Sequence, residues 1–526
     1  MKNVKKFLDK DYDFFWSKIK RNENFMLLRY GDGERLIMVG QPVKAQEGWT
    51  SPAGVTSLGK ALKKTLGIEE ENVYYGVSCP CCDSKSYFWY CQNILSNNIT
   101  FANIFVNNNY GRFIADFEQL KRDAVVIGNH AGAHNQIGNL NVLKYYSIGD
   151  QCQDFWNNDA ESLIEEIIND FGDRNDLLYV VSAGPLSEPI LCALYKNNPK
   201  NCYIDFGSSI DKYIHHKDTR PYVNPKSEFG SRNCWMFDRK EIDLNVSVVL
   251  TTYKKPDALE KQLNAIQAQT LRPKEILLFQ DGIDEYYAIN YKDDFLSQFD
   301  KVHICKENQG VWKRFDYARR ECSSKYICIF DDDTIPGERW LENCYVNMIE
   351  KEGIYGTVGI VVQDYKKYPY GGFTRIGWHN PYRKRAIVDF VGHSWFFKKE
   401  WLEFMFDGTE KYQGYKRAAE DMCLSFKAKQ NGINTYVPPH PYYDLSFWGS
   451  QPKFGMKFGN ASTAISQNTT GCKYMEEALG EFVKDGWEFV YDTDKSTAME
   501  GINGAKIDMC IAFVKKIIKK IKRIIC

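Results

Sequence analysis

The chain has 526 residues, with 68 lysines and arginines against 68 aspartates and glutamates, so its formal net charge is zero. That length exceeds one ordinary hydrophobic core and predicts about two to four domains. Balanced charge excludes a nucleic-acid partner held by bulk electrostatics, and 16 cysteines spread over so long a chain exclude a small disulfide-framed secreted fold.

The first residues, Met1-Lys2-Asn3-Val4-Lys5-Lys6, lead into a mixed polar helix and not an apolar signal segment. A reducing, cytoplasmic location is therefore expected. Phe25-Met26-Leu27-Leu28 reads as a buried strand running into Arg29-Tyr30-Gly31-Asp32-Gly33-Glu34. Glycine lets a ligand approach the backbone, and Asp32 with Glu34 can share one cation. An Asp-Gly turn alone gives the same letters. Cys79-Pro80-Cys81-Cys82 lacks the paired spacing of a structural zinc site and reads as a loop of reduced thiols.

Ala124 to Gly128 and Leu177 to Val181 are further strands. Ser182-Ala183-Gly184-Pro185 follows the second of these and opens a helix, an arrangement that can cradle phosphate at a helix N-terminus. Cys202 to Gly207 is another strand, with Asp205 near its end. On these motifs, residues of about 20 to 214 resemble the GT-D class of glycosyltransferase domain. The resemblance implies that Asp32 and Glu34 act as an Asp-X-Glu motif for metal and sugar nucleotide, with Gly184 and Asp205 in the nucleotide-sugar site. Gly128-Asn129-His130-Ala131-Gly132-Ala133-His134 departs from the pattern, with histidines where a glutamate-bearing loop belongs.

The second half repeats the alternation. Val246 to Leu250 is a strand followed by Thr251-Thr252-Tyr253, and Pro256 suits the first turn of a helix. Glu275 to Phe279 ends at Asp281-Gly282, Val302 to Cys305 is a third strand, and Asn308-Gln309-Gly310 opens a helix through Phe315. Tyr326 to Phe330 then runs into Asp331-Asp332-Asp333. Strands alternating with helices predict a parallel sheet with right-handed crossovers. Two neighbouring strands are expected to end in acid, at Asp281 and at Asp331 to Asp333, over one crevice. Carboxylates so close repel one another unless a cation lies among them, and Mg²⁺ or Mn²⁺ shared with a substrate phosphate is the expected partner. A solvated acidic turn is the plain alternative.

Val248 to Tyr253, Gln280-Asp281-Gly282, Asn308-Gln309-Gly310, Phe330 to Asp333 and Glu420-Asp421 occur in this order. With them, the stretch from about Val246 to Trp448 resembles a family 2 glycosyltransferase of the GT-A fold. The resemblance implies that Asp281 contacts the nucleotide base, that Asp331 approaches the ribose or the metal, and that Asp333 binds the metal bridging the diphosphate. Thr252, Arg314 and Asp332 are expected beside the nucleotide sugar. Asp421, with Glu420, is the expected general base, and Trp395 with His393 the expected acceptor contact. Uridine diphosphate is the leaving group the resemblance favours.

The tail from Ile507 alternates isoleucines with Lys515, Lys516, Lys519, Lys520, Lys522 and Arg523. It is too often charged to span a bilayer and suits a helix lying on an anionic membrane, or one docked on protein. The expected class is therefore α/β, with two Rossmann-like nucleotide-sugar-binding domains and a C-terminal amphipathic helix. The expected divisions are 1–215, a connector at 216–244, 245–460, a linking segment at 461–503, and the tail at 504–526. The reading is a two-headed, metal-dependent inverting glycosyltransferase. It would act on a growing glycan or lipid-linked acceptor, peripheral on the cytoplasmic face of the membrane. A single active head with a binding module, a sugar nucleotidyltransferase and a glycan-binding protein are the competing readings.

Overall fold

A computed structural model describes residues 5–45, 48–227, 229–230, 245–253, 255–282, 293–414, 418–458 and 469–525. The chain forms two compact units, Met1–Ile242 and Asp243–Cys526. Residues 228 and 231–244 of the expected connector lie outside the described residues.

The first unit is built on seven strands: β1 (Phe25–Arg29), β2 (Val73–Val77), β3 (Ile99–Phe101), β4 (Asp123–Asn129), β5 (Asn141–Ile148), β6 (Leu178–Ser182) and β7 (Cys202–Asp205). Their order is β3-β2-β1-β7-β6-β4-β5, and every pairing is parallel. Helices cover a parallel sheet on both faces, which is why its strands read as unbroken apolar runs; Phe25, Met26, Leu27 and Leu28 are fully buried. The chain leaves β1 toward β2 on one side and returns to β7 on the other. The carboxyl ends of β1 and β7 therefore flank the point where the order reverses, where such sheets hold ligands. Helix α1 (Asp32–Met38) begins directly after β1, and α2 (Ser187–Asn197) follows β6 through a short turn at Gly184.

The second unit carries β8 (Val246–Thr252), β9 (Glu275–Gln280), β10 (Lys301–Ile304), β11 (Tyr326–Phe330), β12 (Ile354–Val362), β13 (Phe373–Gly377), β14 (Ala386–Val388), β15 (Phe390–Lys398) and β16 (Thr435–Val437). The order is β10-β9-β8-β11-β15-β12-β16-β14, with β13 also on β12. The first four are parallel. The sheet then turns mixed, because β15 runs antiparallel to both β11 and β12. The expectation of two neighbouring acid-ended strands is corrected here. β8 lies between β9, which leads to Asp281, and β11, which leads to Asp331. The reversal of strand order falls between β8 and β11, so Thr252 and Asp331 mark the crevice.

Helices α3 (Pro256–Gln267), α4 (Lys313–Glu321), α5 (Glu420–Gln430), α6 (Thr469–Lys484) and α7 (Lys495–Ile525) complete what the site requires. The expected division at 503/504 is not a structural boundary, since α7 runs through it. Ala498, Ile502, Ala505 and Asp508 of α7 are buried, and Asp508 accepts from the Arg383 backbone N–H at 2.8 Å and from its Nε at 2.9 Å. Beyond that anchor Phe513, Val514, Ile517 and Ile518 are exposed. No helix among the described residues is long and apolar enough to cross a membrane. Cys79 to Asp83 is not a loop: Pro80 starts a helix, Pro80–Asn93, with Cys79 at its N-cap.

Candidate functional site

In the second unit, the loops after β8, β9 and β11 meet β15 and the start of α5. Asp281 receives the backbone N–H of Gln309 at 2.6 Å and of Gly310 at 3.1 Å. Its own N–H donates to Thr252 O at 3.0 Å. The carboxylate thus braces the Asn308–Gly310 turn that leads into α4. Burial raises its pKa, against the pull of those two N–H donors. Thr252 is buried, with its hydroxyl unpartnered.

The three aspartates after β11 have different partners. Asp331 takes one amino group of Arg314, and the other donates to Glu420 at 2.6 Å. Asp332 accepts from Tyr253 N at 3.3 Å and Lys255 Nζ at 3.0 Å. Asp333 faces Lys255 Nζ at 3.0 Å through one oxygen and His393 Nδ1 at 3.3 Å through the other. Buried Gln262 of α3 holds the turn from beneath, donating to Asp331 O at 2.5 Å and Thr334 O at 2.8 Å.

Burial works against the charge on Asp333, yet His393 and Lys255 hold its carboxyl far below the usual range. Asp332 responds in the opposite sense, because burial lifts it to about 7 although Lys255 opposes the rise. Asp421 is pushed to about 8, first by burial and then by Glu420 beside it. Burial also disfavours charge on the Arg314 guanidinium, but Asp331 and Glu420 more than offset it.

Asp331, Asp333 and His393 are the one group of three among the described residues whose ligand atoms all lie within 4.8 Å of one another. Two carboxylate oxygens and an imidazole suit Mn²⁺ at least as well as Mg²⁺, which takes oxygen almost exclusively. His393, expected at the acceptor, has its ring nitrogen among these ligand atoms. His393 has φ +67°, and its Nδ1 faces Asp333 at 3.3 Å. Trp378, at φ +60°, stacks on that ring at 5.1 Å, and Ala419, at φ +73°, precedes Glu420. Three non-glycine residues in the left-handed region around one site mark backbone held in place by its surroundings.

Two other assignments change. Trp395 is 1 % exposed, donates its indole N–H to Val391 O at 2.7 Å, and is covered by Arg314 at 4.8 Å from the ring. Its faces are packed and offer no wall to an acceptor. Glu420 is 6 % exposed and engaged by Arg314, so it positions α5 and does not present a free base. Asp421, the next residue, is half-buried and accepts its neighbour's backbone N–H at 2.7 Å. Arg319 and Arg320 pair with Asp316 on their own helix. The sequence reading missed Lys255 and Gln262. A lysine directly before Pro256 was the available signal for the first of these.

The first unit assembles a different acidic cluster. Arg29 Nε donates to Ala102 O at 2.7 Å and its Nη1 to Asp205 O at 3.3 Å. Glu34 reaches back to Gly31 N at 2.8 Å and caps α1, while Asp32 is exposed. Among the described residues, neither Asp32 nor Glu34 belongs to a group of three close ligand atoms. Burial raises Glu34 to about 7 and Asp205 to about 6. Glu188, in the first turn of α2, is fully buried with neither carboxylate oxygen hydrogen-bonded. Burial, then Glu34 and Asp205, push its pKa well up. Gly184 takes φ +53°. A β-carbon on Gly33 would come 3.3 Å from the Trp49 ring, and one on Gly184 would come 3.7 Å from its indole nitrogen. Trp49 thus lies over both glycine motifs. His130 and His134 are exposed.

Residues 247–406 match the family model described as glycosyl transferase family 2. The second unit therefore contains a family 2 glycosyltransferase domain. A search of curated proteins found no match. Among solved structures, the chain is similar to a selenomethionine-substituted domain of unknown function 1792. The TM-score is 0.31 at 14 % identity, over 43 % of this chain and 90 % of that one. A second structure, of the highly conserved domain of unknown function 1792 with a distinct glycosyltransferase fold, matches with TM-score 0.29 at 13 % identity, over 43 % of this chain and 90 % of that one. TarS of S. aureus matches with TM-score 0.29 at 15 % identity, over 46 % of this chain and 49 % of that one.

Proposed function

We propose that the second unit transfers a sugar, with inversion, from a nucleotide-sugar donor, favoured to be a UDP-sugar, to a hydroxyl of a glycan or lipid-linked acceptor. The observation that carries this is the grouping of Asp331, Asp333 and His393 at the switch point between β8 and β11, inside the family 2 segment, with Asp421 near enough to feel the charge of Asp331. When bound by Asp331, Asp333 and His393, Mn²⁺ or Mg²⁺ supplies positive charge to the departing diphosphate. Asp421 accepts the proton of the acceptor hydroxyl as that oxygen bonds to the anomeric carbon and the carbon–phosphate oxygen bond breaks. A base whose pKa lies near the working pH is efficient in such a step. Asp281 holds the Asn308–Gly310 turn against which the nucleotide base would lie, and Arg314 fixes α5 to the metal-bearing turn.

The first unit is proposed as a second transferase head, using Asp32, Glu34, Asp205 and the Gly184 turn for its donor. The cluster of buried Glu188 and Asp205 with half-buried Glu34 around Arg29, at the switch point of its sheet, supports that reading. The exposed apolar residues beyond Asp508, with Lys515 and Lys516, support peripheral binding to an anionic membrane surface. Two heads on one chain would pass a product from one site to the next at high effective concentration.

The test is a transfer screen with Mn²⁺ across a panel of sugar nucleotides, using wild type, Asp32→Ala with Glu34→Ala, and Asp333→Ala. Loss of different donors by the two sets of variants is expected. If Asp333→Ala alone matters, the first unit is a binding module and the two-headed reading is wrong.

A further inference from the structure

Lys255 sits in the candidate metal site without belonging to its ligand set. Its side chain is 11 % exposed, and its ammonium lies 3.0 Å from Asp332 Oδ1 and 3.0 Å from Asp333 Oδ2. Asp333 is also one of the three residues placed to hold a metal. A divalent ion sharing that carboxylate with an ammonium meets strong repulsion in a partly buried site. The two cations of the site differ in freedom. Arg314 is clamped between Asp331 and Glu420, whereas lysine is a point charge on a flexible four-carbon stem. Asp332, the second anchor of Lys255, lies outside the metal group. Among the described residues, the charges around the metal position include those of Asp331, Asp332, Asp333, Arg314, Lys255 and His393, with Arg375 acting on His393 and Glu420 and Asp421 beside Asp331; of the cations bonded to the aspartates, Lys255 has the freer stem.

We propose that Lys255 is an exchangeable counter-ion, which neutralises Asp332 and Asp333 in the absence of donor and moves onto the donor's diphosphate when metal and donor enter together. This rests on the second unit binding a nucleotide sugar through Asp331, Asp333 and His393. The lysine holds the aspartates together in the free protein, makes the site a poor trap for metal alone, and is repaid with phosphate charge when the donor arrives. Metal and nucleoside diphosphate must then tighten each other's binding by the same factor.

The experiment measures Mn²⁺ binding by the loss of the free-ion electron paramagnetic resonance signal, with and without UDP. It uses the full chain as wild type, Lys255→Met, Lys255→Arg and Asp333→Asn. In wild type, Mn²⁺ alone is expected to bind weakly and UDP to tighten it. Lys255→Met is expected to bind Mn²⁺ alone roughly tenfold or more tightly than wild type, and the tightening by UDP to shrink by a similar factor. Lys255→Arg keeps the charge and is expected to stay near wild type. Should Lys255→Met fold poorly, Lys255→Met with Asp332→Asn removes one charge of each sign and is expected to show the same gain for Mn²⁺ alone.

Unchanged or weaker binding of Mn²⁺ alone in both lysine-free variants overturns the proposal. If Asp333→Asn still abolishes Mn²⁺ binding in that case, the metal site stands and only the role of Lys255 falls. Absence of Mn²⁺ binding in wild type, even with UDP, overturns both.

Discussion

Asp331 and Glu420, 89 positions apart in the chain, are joined through one guanidinium: Arg314 gives one amino group to each. The Asp331–Asp333 turn and the helix that carries Asp421 are thereby fixed to each other by a single buried side chain. Removing one partner of a buried ion pair leaves the others uncompensated and costs about 3–5 kcal/mol. Arg314→Ala is expected to lower the melting temperature of the second unit and to abolish transfer. Arg314→Lys retains charge without the fork and is expected to restore stability only in part. Equal melting of wild type and Arg314→Ala would remove the bridge from the account.

Asp421→Asn tests the base. Removal of a positioned general base costs about 10²- to 10⁴-fold in rate, so kcat should fall by that order while Mn²⁺ and UDP affinity, measured by calorimetry, stay close to wild type. Asp421 acts as a base only when ionised, and burial with Glu420 holds its pKa at about 8 in the free site. Transfer should therefore climb as pH rises toward that value and level above it. In Asp421→Asn that rise should vanish; its persistence would assign the titration to another group.

His393 is expected to set metal preference. His393→Ala leaves Asp331 and Asp333, an all-oxygen pair, so Mn²⁺ affinity should drop more than Mg²⁺ affinity. Chelation should stop transfer by the second unit, and adding back Mn²⁺ should restore it. Activity surviving in a chelator with purified, metal-stripped protein would refute the ligand set.

The first unit gives a pH prediction of defined sign. Burial raises Glu34 to about 7 and Asp205 to about 6, and raises Glu188 as well. A carboxyl with a raised folded pKa contributes stability that is fully present below its unfolded pKa and is lost as pH rises through the folded value. Without metal or donor, the unfolding transition of this unit should therefore come at a higher temperature at about pH 5 than at about pH 8. Glu188→Gln keeps the shape without the charge. It should leave the low-pH value nearly unchanged and raise the high-pH one. A wild-type transition that rises with pH would contradict the burial account.

Membrane attachment is tested by ending the chain after Met509, which retains the anchor between Asp508 and Arg383. The shortened chain should keep its melting behaviour and lose sedimentation with anionic vesicles. A cut after Gly504 would also remove the anchor and confuse the two effects. Undiminished sedimentation would leave the exposed apolar residues of α7 without a membrane role.

Much of this protein was legible from local pattern. Apolar runs such as Phe25–Leu28 and Val246–Leu250 specify strands because a parallel sheet buries both faces of each strand. Asp331–Asp333 advertise a cation because adjacent carboxylates need one, and the motif order from Val248 to Asp421 pointed to the family 2 domain that residues 247–406 match. Strand order, however, is set by long-range packing and not by sequence neighbours, so only the folded sheet shows β8 separating the ends of β9 and β11. The sequence likewise placed Trp395 and Glu420 in the right segment with the wrong neighbours. Whether an indole faces a groove or lies beneath an arginine depends on elements 80 or more residues away in the chain, here Phe315 and Arg314. Lys255 and Glu188 were unremarkable as letters. Their roles arise only when folding brings an ammonium between two aspartates and strips water from a lone carboxyl, and the energetics of both are properties of burial, which one-dimensional pattern does not encode.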